Sequence, residues 1–159
     1  MPKAETMQAR NPDFAQRVQE SFALQGAMRT LGASLVAIEP GRVVIAMRHR
    51  PELTQQHGFV HAGMIAAALD SACGFAAFTL MPADAGVLTI EFKINLLAPA
   101  HGPLLMFEGE VTKGGRTISV VDGRAWQSDN ENAAGAERKL IATMTATVMT
   151  VVGRDDVRH

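Results

Sequence analysis

Apolar positions recur along the chain with two different periods. Behind Asn11, a plausible N-cap followed by Pro12 and Asp13, the residues Phe14, Val18 and Phe22 are spaced i, i+4, i+8. That spacing predicts an amphipathic helix running to about Gly32. Next, "SLVAIEPGRVVIAMR" (34–48) reads as two strands around a Pro-Gly turn. "PELTQQHGFV" (51–60) has no clean period and reads as a loop, and "HAGMIAAALDSACGFAAFTLMP" (61–82) as a long, nearly all-apolar helix.

Behind that helix the period becomes two. In "GVLTIEFKINLLAP" (86–99), Leu88, Ile90, Phe92, Ile94 and Leu96 are expected on one face, and Thr89, Glu91, Lys93 and Asn95 on the other. "LLMFEGEVTKGGRTISVVDGRAWQ" supplies two strands around a Gly-Gly turn, and "RKLIATMTATVMTVV" the last strand. "SDNENAAGAE" is a polar loop between them. One apolar helix and an antiparallel sheet predict an α+β layer architecture in which the sheet wraps the helix.

Composition narrows this picture. The 159 residues suit one domain (1–159), with a frayed, disordered segment expected over 1–11. Hydrophobic residues make up 47% and the formal net charge is −1, with no basic run for nucleic acid or an anionic membrane. The lone Cys73 cannot form an internal disulfide, so a reducing cytoplasm is expected. The chain shows no signal-peptide pattern, and Asp70, Gly63 and Gly74 make the 61–82 segment a poor membrane span.

Asp70 is the one carboxylate of that segment. Burying an unpaired carboxylate costs several kcal/mol or keeps it protonated. On a 3.6-residue period Asp70 shares a face with Gly63, Ala66, Ala67, Cys73, Gly74 and Ala77, all small. Such a stripe admits a ligand or another backbone, although the acid could also cap a turn or pair with a buried arginine. Upstream, His61, Ala62 and Gly63 stand where the helix should start, so free N–H groups there suit a developing oxyanion. Asp70 lies two and a half turns away, so a second element, or a second chain, must bring the two together.

"QQHGFVHAGMIAAALDSA" followed by "VLTIEFKINLLAPAHG" resembles the hotdog-fold thioesterases of the PaaI type. Their pattern is Asn-x-x-Gly-x-x-His-Gly-Gly, an acid on the central helix, and a strand ending in Pro. The likeness spans about residues 40–150, with its motifs in 55–102. It implies a catalytic acid at Asp70, an oxyanion site at Ala62 and Gly63 behind His61, a loop glycine at Gly58, a polarising amide at Gln55 and a strand hydroxyl at Thr89. Ala62 stands where the family has Gly and keeps the N–H; Gln55 stands where it has Asn and keeps the amide.

The resemblance implies hydrolysis of acyl-CoA thioesters in a homodimer or homotetramer, with sites between subunits. CoA is part of the substrate, so no separate cofactor is expected. Asp70 would act as base or nucleophile, and Thr89 would orient it or the water. His61 would hold the loop or reach the thioester. Phe22 and Met28 could line an acyl tunnel, or simply be core.

Weaker chemistry surrounds these residues. His57 and His61 are four apart but lack a zincin glutamate, so no metal site is expected. Cys73 reads as a small buried residue. Lys113 and Arg116, flanking the Gly-Gly turn, could hold CoA phosphates or be solvated. A related hydratase or dehydratase and a non-catalytic acyl-CoA sensor are the rival functions.

Overall fold

The computed structural model describes residues 7–132 and 137–157. Two short helices, α1 (Phe14–Leu24) and α2 (Gly26–Leu31), precede the hairpin β1 (Ser34–Glu39) and β2 (Arg42–Arg48). The long helix α3 (Ala62–Phe78) follows, then β3 (Ala85–Leu96), β4 (Leu104–Lys113), β5 (Ile118–Ser128) and β6 (Arg138–Val152). All six strands form one antiparallel sheet in the order β1-β2-β4-β5-β6-β3. The sheet wraps α3, whose C-terminal half is buried. This is the α+β hotdog architecture expected, with β1 and β3 at the two edges. No helix among the described residues is long and apolar enough to cross a membrane.

The N-terminal region differs from the expected single helix. Asn11 does accept an N–H, through Oδ1 from Asp13 at 3.0 Å, but the helix proper begins at Phe14. It breaks at Gln25, where ψ swings to 105° before α2 resumes. Within the segment expected to be frayed, residues 1–6 lie outside the described residues, while Met7 packs on the core and Asn11 is buried. Arg17 pins α1 to the turn after α3. Its guanidinium donates to the Pro82 carbonyl at 2.7 Å and to that of Ala85, and lies 4.1 Å from the Phe78 ring centroid. A buried cation held this way exchanges water for carbonyls and a π-face.

Two glycines set how deeply α3 sinks into the sheet. Gly109 on β4 and Gly123 on β5 are cross-strand partners. A Cβ at Gly109 would come within 2.4 Å of the Ala72 carbonyl oxygen, and one at Gly123 within 2.9 Å of Cys73 Sγ. Removing both side chains lets the helix backbone rest on the sheet just beyond Asp70, fixing the height of that carboxylate.

The alternation expected along β3 fails at one place. Its pairing with β6 runs Thr89 to Val148, then Glu91 to Thr147, so Ile90 is an extra residue in a β-bulge. Cross-strand partners share a face, and Val148, Ala146 and Met144 are buried against the helix. Phe92, Ile94 and Leu96 therefore keep the helix side, but before the bulge it is Val87 and Thr89 that occupy it. Leu88 and Ile90 are displaced from the expected face. An inserted residue flips every side chain on one side of it.

Candidate active site

The bulge carries Thr89 to the helix. Its hydroxyl donates to Oδ1 of Asp70 at 2.8 Å. Partial burial among apolar walls raises the Asp70 pKa above the ordinary carboxylate value, and the Thr89 hydrogen bond opposes that rise. Asp70 and Thr89 line a cavity of about 250 Å³ between α3 and β3, with Phe75 and Gly74 as part of its wall. Oδ1 is engaged, which leaves Oδ2 to meet a water or a substrate. The small-residue stripe changes character along its length: Gly63 is exposed, Ala66 and Ala67 half-buried, and Cys73, Gly74 and Ala77 buried.

The other half of the motif forms a separate cavity of about 410 Å³ at the N-terminus of α3, lined by Gln55, His61, Ala62, Leu96, Leu97 and Pro99, among others. His61 is the N-cap, and its Nδ1 accepts the Gly63 N–H at 2.9 Å. That bond consumes the Gly63 donor; a Cβ there would stand 3.2 Å from the same nitrogen. The Ala62 N–H keeps no acceptor among the described residues. Gln55 Oε1 accepts the His57 N–H, so its free amide group is the donor –NH₂. Gly58, at φ 82°, makes the turn that brings His57 back to Gln55, and its carbonyl meets His49 Nε2 at 3.1 Å.

A buried amide that no sequence pattern signalled holds the opposite wall. Gln127 on β5 accepts the N–H groups of His101 and Gly102 at 2.9 and 2.8 Å and donates to the Pro99 carbonyl at 3.1 Å. Val60 N–H then donates to the Ala100 carbonyl at 2.8 Å, joining this loop to the Gln55–His61 segment.

Within one chain, then, the structure joins Asp70 to Thr89 and joins Gln55, His61 and Ala62, but it does not join the two groups. The eight residue steps along the helix from Ala62 to Asp70 span about 12 Å. Lys113 and Arg116 line a third cavity of about 560 Å³, with Arg10, Met7 and Leu80, beyond the C-terminal end of α3. Phe22 and Met28 do not line the Asp70 cavity: Met28 is core, and the Phe22 ring meets that of Phe75 at a tilt of 54°, 5.9 Å between centroids. Burial, with the charges of Asp70 and Asp122, pushes the Cys73 thiol up to about 12, so it is an inert core residue.

Known proteins resemble this chain in sequence and in fold. Residues 57–134 match the thioesterase superfamily. A protein of Saccharolobus solfataricus with an esterase-like designation is 34% identical over 106 residues, which cover 67% of this chain and 75% of that protein. The crystal structure of a thioesterase family protein from Silicibacter pomeroyi is 49% identical, covers 88% of this chain and 99% of its own, and superposes with a TM-score of 0.83. The E. coli PaaI protein shares the fold at 16% identity and a TM-score of 0.75, over 89% of this chain and 95% of its own. The chain belongs to the thioesterase superfamily, and thioester hydrolysis is the chemistry of that class.

Proposed function

We propose that this protein hydrolyses acyl-CoA thioesters at a site composed from two copies of the chain. The observation that carries this reading is the Thr89–Asp70 pair: a carboxylate with a raised pKa, hydrogen-bonded by a hydroxyl and lining a cavity. Asp70 takes a proton from water as that water attacks the thioester carbonyl. The oxyanion accepts hydrogen bonds from the Ala62 N–H and the Gln55 amide. Collapse breaks the C–S bond and expels the CoA thiolate, which takes from Asp70 the proton that came from water, leaving a free acid and CoA. His61 keeps the N-terminus in register and does not touch the carbonyl.

Support for a shared site comes from the edge strand. β3 pairs on one side only and exposes Leu88, Ile90, Phe92 and Leu96, with Leu97 just beyond. A long, apolar, unpaired edge favours pairing with its symmetry mate, which can set the N-terminus of one α3 beside the middle of the other. Support for CoA comes from a relative in Listeria monocytogenes, a 1,4-dihydroxy-2-naphthoyl-CoA hydrolase, 24% identical over 60% of this chain and 77% of that protein. Lys113 and Arg116, with Arg10 beside them, hold the CoA phosphates; none has an ion-pair partner among the described residues. A cytoplasmic location fits a chain whose one cysteine is buried and unpaired.

Incubation with a panel of acyl-CoAs and a thiol reagent tests the reading. Thiol release that depends on Asp70 supports it. A change in enoyl absorbance without thiol release, or binding without turnover, overturns it.

A further inference from the structure

The loop between β3 and β4 has neither helix nor strand to pair its backbone, and one side chain supplies much of what is missing. Gln127, 3% exposed on β5, accepts the N–H groups of both His101 and Gly102 and donates to the Pro99 carbonyl. Both acceptor positions of its carboxamide oxygen and one of its N–H donors are thereby used, so the loop is gripped from Pro99 to Gly102 by a single group. Gly102 lets the backbone lie this close to β5: a Cβ there would stand 2.8 Å from the Ser128 carbonyl oxygen.

The loop in turn supports the segment that carries Gln55 and Ala62. Ala100, between the bonded Pro99 and His101, accepts the Val60 N–H at 2.8 Å, and the Phe59 and His101 rings meet at 6.0 Å between centroids. On its other side the segment is held by the His61 N–H, which donates to the Leu53 carbonyl at 2.8 Å. Ala62 follows directly, and Gln55, Ala62, Pro99 and Ala100 line one cavity. Gln127 is not part of that lining, nor of the cavity that holds Asp70 and Thr89. A backbone N–H has no rotamer to adjust; it stands where its chain is clamped. The clamp on the Ala62 side of the cavity runs through Val60 and Ala100 to Gln127.

We infer that Gln127 is a positioning residue for thioester hydrolysis, holding the Pro99–Gly102 loop so that the Ala62 N–H and the Gln55 amide stand where the oxyanion forms. This rests on the thioesterase reading and adds to it a residue that acts without touching the substrate. Donors aimed at charge that develops only in the transition state act on kcat and leave KM little changed. Their misplacement by about 1 Å costs as much as about 10²-fold. Because Gln127 lies away from the Asp70 cavity, its loss should spare that half of the site.

Steady-state kinetics with benzoyl-CoA and hexanoyl-CoA compare the wild type with Gln127→Met, which cannot donate and accepts only weakly. The kcat is expected to fall by about 10- to 100-fold with KM within about twofold. Gln127→Glu, which keeps the two acceptor bonds, should fall between the two. An unchanged kcat, or a loss confined to KM, overturns the inference. Subunit exchange then reads which half of the site is damaged. Mixed in equal amounts with Asp70→Asn chains, Gln127→Met chains should regain about a quarter of wild-type activity, since one site of each mixed dimer is intact. Mixed with Gln55→Ala chains they should regain nothing, because both defects fall in the same half. Recovery with Gln55→Ala, or with neither, overturns the inference; a merely weakened fold would not discriminate between the two partners. If Asp70→Asn and Gln55→Ala chains do not complement each other, the shared-site reading fails separately and the split between kcat and KM decides. If the wild type hydrolyses neither thioester, the thioesterase reading fails separately and hydrogen exchange decides. Residues 55–61 should then exchange about tenfold faster in Gln127→Met, with 70–78 unchanged. Equal exchange over 55–61 overturns the inference. If Gln127→Met does not fold, Gln127→Glu takes its place in each measurement, with smaller changes of the same sign.

Discussion

The hydroxyl of Thr89, on the edge strand, donates to Oδ1 of Asp70, on the central helix, across 2.8 Å. Nineteen positions separate them in sequence, and their meeting depends on the bulge at Ile90. Without the extra residue, Thr89 would face away from the helix. The hydrogen bond stabilises the ionised carboxylate, whereas burial favours the protonated one.

Thr89→Val should therefore remove the effect that holds the Asp70 pKa down. The acid limb of the pH–rate profile moves to higher pH, and kcat falls by about tenfold or more at neutral pH. Thr89→Ser should restore both. A profile unchanged in Thr89→Val would show that the two groups are not coupled in turnover.

Asp70→Asn should lose activity by about 10²- to 10⁴-fold while gaining stability at pH 7. The sign follows from linkage. A carboxyl with a raised folded-state pKa binds its proton more tightly when folded, so it costs stability once pH exceeds its unfolded pKa. Below about pH 4 the cost is absent and the two proteins should converge. Urea denaturation at pH 7 and at low pH measures the difference. A variant less stable at pH 7 would contradict the desolvated setting of Asp70.

Subunit mixing addresses the composite site. Asp70→Asn and Gln55→Ala chains, each inactive alone, should regain about a quarter of wild-type activity after exchange at equal amounts. Half the dimers are then mixed, and one of their two sites has both groups intact. No recovery after verified exchange would place both groups in one chain's site, against the distance of about 12 Å along α3.

Gly109→Ala should destabilise the fold by roughly 1–3 kcal/mol, because its Cβ meets the helix backbone at Ala72 rather than a side chain that can swing away. At this chain length that is a fall of about 2–4 °C in Tm per kcal/mol. Activity per folded molecule should fall too, since α3 must rise from the sheet and carry Asp70 with it. Scanning calorimetry with active-site titration separates the two effects. A variant as stable as wild type would mean that α3 does not rest on Gly109.

Read alone, the chain determined its element order, because period 3.6 and period 2 record which face of each segment must leave water. It also placed the hairpin at Pro40–Gly41, the start of α3 at His61, and Asp70 on a face of small residues. These are local properties, legible wherever neighbours in sequence share a side of one element. What remained hidden depends on contacts between distant segments. The bulge at Ile90 reversed the face of Thr89, and only pairing with β6 reveals an extra residue in an otherwise regular alternation. The break at Gln25 lies within an unbroken helical pattern, and its side chain is held by Ser71, 46 residues away. Likewise no periodicity or motif marks Arg17 or Gln127, which the fold buries beside carbonyls and N–H groups that need partners. Sequence periodicity reports what each element hides from water; which polar group meets which across the core is decided when the sheet closes around α3.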